Sequence, residues 1–226
     1  MADTPRNLES EALDVVMLGS FNPAILHPQW FLRQHLIGEE EAVSASIKVV
    51  ATEVADVSFG GVHVVCLNHS LMLNIQNIAY TTKVFDLIDG ILNLLPHTPM
   101  RACGINPSAH YRVETVDYWH KIGHALAPKD QIWTPLFDKP GLQSLIIKSP
   151  RTGEYPGAIN ITVEPSSLVN PGLFVKTNTH FDVPDDMQES GGAEAIRKFV
   201  KHESATACEQ ARRVGTRIFS EIKPDG

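Results

Sequence analysis

The sequence predicts an α+β protein with a mainly antiparallel, curved sheet and with helices packed on one face of it. Strand-like segments follow one another without intervening helices, amphipathic segments divide them into two groups, and the element order β-α-βββ-α occurs twice. The two groups open with similar stretches, GSFNPAILH and GINPSAH, which favours an internal duplication. We therefore expect a flexible arm at residues 1–12 and two units at 13–97 and 98–226 that form one fused domain.

The first unit opens with LDVVMLGSF, a continuous apolar run that is typical of a buried strand. HPQWFLRQHLI follows with apolar residues at helical spacing. Three strands are then expected, in IKVVATEVADVSF, VHVVCL and SLMLNIQ, and the last of these alternates with Leu71, Leu73 and Ile75 on one face. An amphipathic helix ends the unit before Pro96. Its buried stripe is expected to contain Val84, Leu87, Ile88, Ile91, Leu94 and Leu95.

The second unit repeats this order. MRACGINPSAHYRV predicts a strand, and TVDYWHKIGHAL predicts a helix whose first free amides Thr115 can cap. Three further strands are expected in LQSLIIKS, GAINITVE and GLFVKTNTHFDV. One long helix from Gly192 to Ile222 closes the chain, and at 1.5 Å per residue it would extend for about 45 Å.

Charge and composition exclude several classes of function. The chain has 19 basic and 26 acidic residues, a net charge of −7, and no basic cluster, which argues against a nucleic-acid partner or an anionic membrane surface. No secretory signal or membrane span is predicted, so we expect a cytoplasmic protein. Its three cysteines, Cys66, Cys103 and Cys208, have no CxxC spacing and are expected to be reduced, small buried residues.

The order of elements resembles the pseudo-symmetric saddle of the TATA-box-binding-protein-like folds. That resemblance implies a nucleic-acid-binding saddle as one alternative function, although the acidic charge balance opposes it. It concerns architecture alone, and an architecture does not determine a function.

The stretch GSFNPAILH resembles the signature of the adenylyl-transferring nucleotidyltransferases. In that family a strand ends in a Gly-Ser/Thr-Phe-Asn/Asp-Pro turn, and the following helix start holds a triphosphate with the help of histidines. The resemblance implies nucleotide binding by Gly19, Ser20, Asn22 and His27. His27 lies between the two positions at which the family carries its histidines. The alternative interpretation is a strand that leaves the core through an Asn-Pro turn.

A second group of candidate residues comes from the last two strands. Strict alternation sends their apolar side chains to one face of the sheet and their polar side chains to the other. If the two strands pair, the polar side chains form one surface that could bind a ligand or support acid-base chemistry. The expected binding residues are Asn160, Thr162, Glu164, Asn178, His180 and Asp182. Asn74 and Gln76 have the same orientation in the first unit.

Asp117, His120 and His124 lie along one side of the predicted helix in TVDYWHKIGHAL. A metal site needs a further ligand and supporting hydrogen bonds, so we interpret this side as a solvated face and expect no metal ion. Phosphate-binding glycine loops, serine nucleophile elbows and Cys-His pairs at known spacings are missing from the sequence, and no cofactor is expected.

These features favour a non-enzymatic binding or adaptor protein, a subunit of a protein assembly. Self-association is expected as well, because the edges of a long antiparallel sheet need to be covered. The alternative is an enzyme that acts on a nucleotide or another small polar substrate, through either group of candidate residues.

Overall fold

The computed structural model describes residues 7–224. Within this part of the chain, nine strands form one antiparallel sheet in the order β2-β3-β4-β5-β1-β6-β9-β8-β7, and five α-helices are present. The α+β fold with an antiparallel sheet is therefore confirmed. The strands are β1 (Leu8–Gly19), β2 (Ser46–Val50), β3 (Val54–Phe59), β4 (Val62–Leu67), β5 (Ser70–Ile75), β6 (Met100–Arg112), β7 (Leu145–Arg151), β8 (Gly157–Pro165) and β9 (Gly172–Asp182). The helices are α1 (Pro28–Arg33), α2 (Glu39–Val43), α3 (Thr81–Leu94), α4 (Val116–Leu126) and α5 (Gly192–Glu221).

The first unit differs from the prediction in its number of strands. The segment IKVVATEVADVSF, expected to be one strand, forms both β2 and β3, so four strands lie between α2 and α3 where three were expected. The cause is a tight turn at residues 51–53, in which the amide of Ala51 donates to the carbonyl of Val54 at 2.8 Å. The predicted first helix is likewise shorter, because α1 ends at Arg33 and His35 adopts a positive φ of 58°.

The second unit follows the prediction closely. Strands β7, β8 and β9 form where three consecutive strands were expected, and α5 covers almost the whole of the expected long helix. Thr115 caps α4, since its hydroxyl oxygen accepts from the amide of Tyr118 at 3.1 Å.

Strands β1 and β6 join the two units at the centre of the sheet. They pair with each other along almost their full length, while β1 pairs with β5 on its other side and β6 with β9. Strand β1 begins at Leu8, so the last five residues of the region expected to be a flexible arm, 8–12, belong to this strand instead. Residues 1–6 of that arm lie outside the described residues.

The helices cover one face of the sheet, which we call the covered face. Alternate residues of every central strand point into it, as Leu13, Val15 and Met17 do on β1. On α3 the buried stripe contains Leu92, whereas Leu94 is 38% exposed. Cys66 and Cys103 are buried as expected, whereas Cys208 is only partly buried. Burial raises the pKa of the Cys66 thiol to about 12. No helix within residues 7–224 is both long and apolar enough to span a membrane.

Candidate binding surface on the open face of the sheet

The opposite face, which we call the open face, carries the residues that alternate with the buried ones. On β1 these are Asp14, Val16 and Leu18. Among the described residues, the buried clusters that include helical side chains draw on the sheet residues of the covered face. The open face therefore leaves its side chains available for contacts with another molecule.

A continuous row of polar side chains crosses the open face, one from each of the nine strands. The cross-strand register places neighbouring members beside each other, a hydrogen bond joins Asn106 to Asn178, and we call this set the polar row. It consists of Ser46, Ser58, His63, Asn74, Asp14, Asn106, Asn178, Asn160 and Lys148.

Three asparagines form a hydrogen-bonded chain in the second half of the polar row. Asn160 Nδ2 donates to Asn178 Oδ1 at 2.9 Å, and Asn178 Nδ2 donates to Asn106 Oδ1 at 2.6 Å. Asn106 is only 6% exposed, and its own Nδ2 donates to the carbonyls of Asp14 and Gly104. A Cβ at position 104 would lie 2.7 Å from Asn178 Nδ2, so glycine makes room for the chain.

Carboxylates organise the first half of the polar row. Asn74 Nδ2 donates to Asp14 Oδ1 at 2.6 Å, which links β5 to β1. His63 Nε2 lies 2.8 Å from Asp56 Oδ1, and the ammonium group of Lys48 lies 3.3 Å from the other oxygen of this carboxylate. The hydrogen bond with His63 is the main cause that lowers the pKa of Asp56, and Lys48 contributes further.

Next to this half of the polar row lies a group of apolar side chains, which we call the apolar patch. Val65, Met72 and Val16 are cross-strand neighbours on β4, β5 and β1, and Leu67 and Leu18 follow them towards the ends of their strands. Leu18 is 37% exposed. An apolar area beside hydrogen-bonding groups is typical of protein interfaces, which have an apolar centre and a polar rim.

The structure brings some of the six predicted binding residues together and separates others. Asn160 and Asn178 are hydrogen-bonded, Thr162 lies opposite Lys176, and His180 Nε2 is 2.9 Å from Asp182 Oδ1.

Glu164 is far from the His180 and Asp182 pair. It lies opposite Phe174, six residues along β9 from His180, which corresponds to roughly 20 Å. Its carboxylate accepts from the hydroxyl of Ser144 at 2.9 Å instead. Glu164 and His180 therefore do not form one acid-base group in this conformation.

Sequence analysis missed Asp14, His63 and, most importantly, Asn106. The same period-two rule would have identified Asn106, because ACGINPSAH alternates between the two faces. The apolar neighbourhood of the segment concealed this signal. Asp14 stands alone in an apolar run, and only its pairing with β5 and β6 gives it polar neighbours.

The stretch that resembles the nucleotidyltransferase signature forms a turn at the end of β1. The amides of Gly19, Ser20 and Phe21 donate to the carbonyls of His69, Pro99 and Asn68. The side chain of Asn22 caps a short 3-10 turn through the amide of Ala24.

His27 plays a similar structural role one turn later. Its Nδ1 accepts from the amide of Gln29 at 3.1 Å and so caps α1. The backbone amides of Gly19, Ser20 and Phe21 and the side-chain acceptor atoms of Asn22 and His27 therefore already have protein partners. The strand-to-turn interpretation accounts for Asn22 and His27 through these local hydrogen bonds.

A cleft lies beside α4 at the end of β8. It has a volume of about 240 Å³ and is lined by Trp119, His120, Gly123, His124, Lys129, Pro140, Gly141, Leu142, Glu164, Pro165 and Leu173. His124 Nε2 lies 3.1 Å from a carboxylate oxygen of Asp130. Among the described residues, no group of three His, Cys, Asp or Glu side chains is arranged to hold a metal ion.

Comparison with known proteins gives no function for this fold. No family model matches the chain, and no curated protein shows significant similarity to it. Functional inference therefore depends on the geometry of the open face and of the cleft.

Proposed function

We propose that this chain is a non-enzymatic binding protein, a subunit of a protein assembly whose partner docks on the open face. The observation that carries this proposal is the apolar patch beside the polar row, on the face opposite the helices. Free cysteines favour a reducing compartment, and we assign the protein to the cytoplasm on that basis.

The chemistry of the open face suits a protein partner. Met72, Val16 and Leu18 supply apolar contact area, while the neighbouring Asn74 and Asp14 supply hydrogen-bonding groups. These polar side chains are already held by one another, so they would lose little conformational entropy on binding.

The charges of the open face favour a protein over a nucleic acid. Lys148 and Lys176 share this face with Asp14, Asp56 and Asp182. Interspersed charges of both signs do not provide the clustered positive charge that a phosphate backbone requires.

The test compares partner recovery with three baits. Quantitative affinity purification is carried out with three proteins. These are the wild type, a Met72→Glu variant in the apolar patch and a Lys201→Glu control on the exposed side of α5. Any enriched protein is then purified and titrated directly against all three. We expect affinity to fall by roughly 100-fold or more with Met72→Glu and to stay unchanged with Lys201→Glu, because a charge in an apolar interface is costly to bury. Equal binding of Met72→Glu and wild type would exclude the open face.

An enzyme acting on a small polar substrate is the second candidate, and the cleft beside α4 favours it. His120, His124 and Glu164 are titratable groups in a cleft of about 240 Å³ with apolar walls, which is room for a small ligand only. Gly123 offers a way to fill the cleft, since a Cβ there meets only Leu142 at 3.7 Å.

Thermal denaturation with nucleotides and other small polar metabolites tests this candidate. If the cleft binds a small polar substrate, a compound that raises the melting temperature of the wild type should have no effect on Gly123→Leu, because leucine fills the cleft. Gly123→Ala is the matched control, because it improves helix propensity and removes little volume. A library without any stabilising compound would argue against this candidate.

A further inference from the structure

Strand β7 forms one outer edge of the sheet and presents apolar side chains on both faces of the sheet. Within the described residues it pairs with β8 alone, so its other side has backbone groups without a strand partner. Ile146 is 64% exposed on the open face, and Ile147 is 52% exposed on the covered face. Two adjacent exposed isoleucines on an edge strand are unusual, because such edges attract other strands.

The opposite edge, strand β2, is protected in ways that β7 is not. A bulge between Ile47 and Val49 interrupts its pairing with β3, and Lys48 forms an ion pair with Asp56 across the same pair of strands. Bulges, lysines and prolines are common devices that prevent edge-to-edge association, and of these β7 has Lys148 and Pro150 but no bulge. The pairing of β7 with β8 is regular over all seven residues.

Pro150 determines which backbone groups of β7 point outward. The pairing with β8 continues past Pro150 to Arg151. Since proline has no N–H, an unbroken ladder requires that the backbone N and C=O of Pro150 point away from β8. Residues alternate in this respect, so the N–H and C=O groups of Ile146 and Lys148 also point outward.

We propose that β7 pairs antiparallel with β7 of a second copy of this chain, with Ile147 opposite Ile147 about a two-fold axis. In this register Ile146 of one copy lies opposite Lys148 of the other, and their outward N–H and C=O groups form four hydrogen bonds. The two Ile147 side chains pack against each other as a non-hydrogen-bonded pair.

Charge and Pro150 select this register over the next one. A register centred on Lys148 would place two ammonium groups directly opposite each other, and like charges at such positions are destabilising. It would also place Ile146 opposite Pro150, which cannot donate, so each of these two pairs would keep one hydrogen bond instead of two. The Ile147-centred register moves the lysines to a diagonal and leaves both prolines outside the hydrogen-bonded pairs.

The dimer would extend the candidate binding surface. A two-fold axis perpendicular to the sheet joins two nine-stranded sheets with both open faces on the same side. A symmetric pairing of this kind closes after two copies and does not propagate into a filament. This inference concerns only the β7 edge. The dimer can therefore be disproved without affecting the proposed function of the open face, and that function can be disproved without affecting the dimer.

Disulfide trapping tests the register. Ile147→Cys should give a covalent dimer under mild oxidation, because Cα atoms of a non-hydrogen-bonded pair are about 4.5 Å apart, within disulfide range. Ser149→Cys is the matched control, as it lies two residues away on the same side of β7. In the proposed register the two Ser149 positions are four residues out of alignment and should not cross-link.

Light scattering on size-exclusion chromatography gives the second readout. We expect the mass of a dimer for the wild type at high protein concentration. The dissociation constant of the dimer should rise at least roughly tenfold in Ile147→Lys. The circular dichroism spectrum of this variant should remain native, because the side chain of Ile147 is exposed. A wild type that stays monomeric, equal cross-linking of Ile147→Cys and Ser149→Cys, or a dimer that survives Ile147→Lys would each overturn the proposal.

Discussion

The two faces of the sheet use the same strands for different purposes, and neighbouring residues of β9 show the contrast. Phe181 is 2% exposed and packs on the covered face against the rings of Tyr155 and Phe199. His180, one residue earlier, points to the open face, where it meets Asp182. The covered face holds the fold together by apolar burial, whereas the open face has hydrogen-bonding groups in an ordered array. This difference teaches that the covered face supplies the apolar burial that drives folding, while the open face contributes individual hydrogen bonds.

The largest expected effect is on stability and comes from breaking the covered face. Phe181→Ala should lower the free energy of unfolding by about 3–5 kcal/mol, since it leaves a cavity between two aromatic rings. His180→Ala, its neighbour, should change it by about 1 kcal/mol or less, because only an exposed pair is lost. Urea denaturation followed by fluorescence measures both. Similar losses for the two variants would contradict the division of labour between the faces.

The centre of the polar row is the place where the open face should matter for stability. Asn106→Ala should cost about 1–3 kcal/mol, because Asn178 loses its acceptor and two backbone carbonyls lose their donor. Asn160→Ala at the more exposed end of the chain should cost less than Asn106→Ala. The same denaturation measurement checks this order, and a reversed order would show that the amide chain is not anchored at Asn106.

Two threonines are exceptions to the contrast between the faces, because they are polar residues buried on the covered face. Thr177 and Thr179 are 0% and 2% exposed, and their hydroxyl groups have no hydrogen-bond partner among the described residues. Thr177→Val keeps the shape and removes an unsatisfied hydroxyl, so we expect a gain in stability of about 1 kcal/mol. A loss of stability on urea denaturation would mean that the hydroxyl has a partner, such as a buried water molecule.

The smallest expected effect is a pH dependence of stability on the open face. Because the hydrogen bond with His63 lowers the pKa of Asp56 in the folded state below its usual 3.8, ionised Asp56 stabilises the fold. The stability difference between wild type and Asp56→Asn should be fully present above the usual carboxyl pKa. It should disappear as the pH falls through the lower folded pKa. A difference that is independent of pH would contradict this role of the carboxylate.

Alternation along single strands made much of the fold and part of the site predictable. The face assigned to each residue of β8 and β9 followed from period two, as did the buried positions Leu71, Leu73 and Ile75 of β5. The division of IKVVATEVADVSF into two strands was not predictable, because its β-branched residues continue up to the turn and its turn residues are not glycine or proline.

The cross-strand neighbours of the polar row could not be predicted from the sequence either. Asn106 and Asn178 are 72 positions apart, and only the register of β6 against β9 brings their amides together. A shift by one residue would have sent Asn178 to the other face. The distance between Glu164 and the His180 and Asp182 pair could not be predicted for the same reason. The register places Glu164 opposite Phe174, and its carboxylate accepts from Ser144.

Methionine footprinting in native cell extract tests the open face as a docking surface most directly. Met72 lies in the apolar patch on the open face, while Met187 is 37% exposed in the turn that leads into α5, a helix of the covered face. Each is oxidised in buffer and in extract, and the modified fractions are compared by mass spectrometry. The docking proposal predicts that extract protects Met72 and leaves Met187 as reactive as in buffer. Unchanged oxidation of Met72, or protection of Met187 alone, would contradict it.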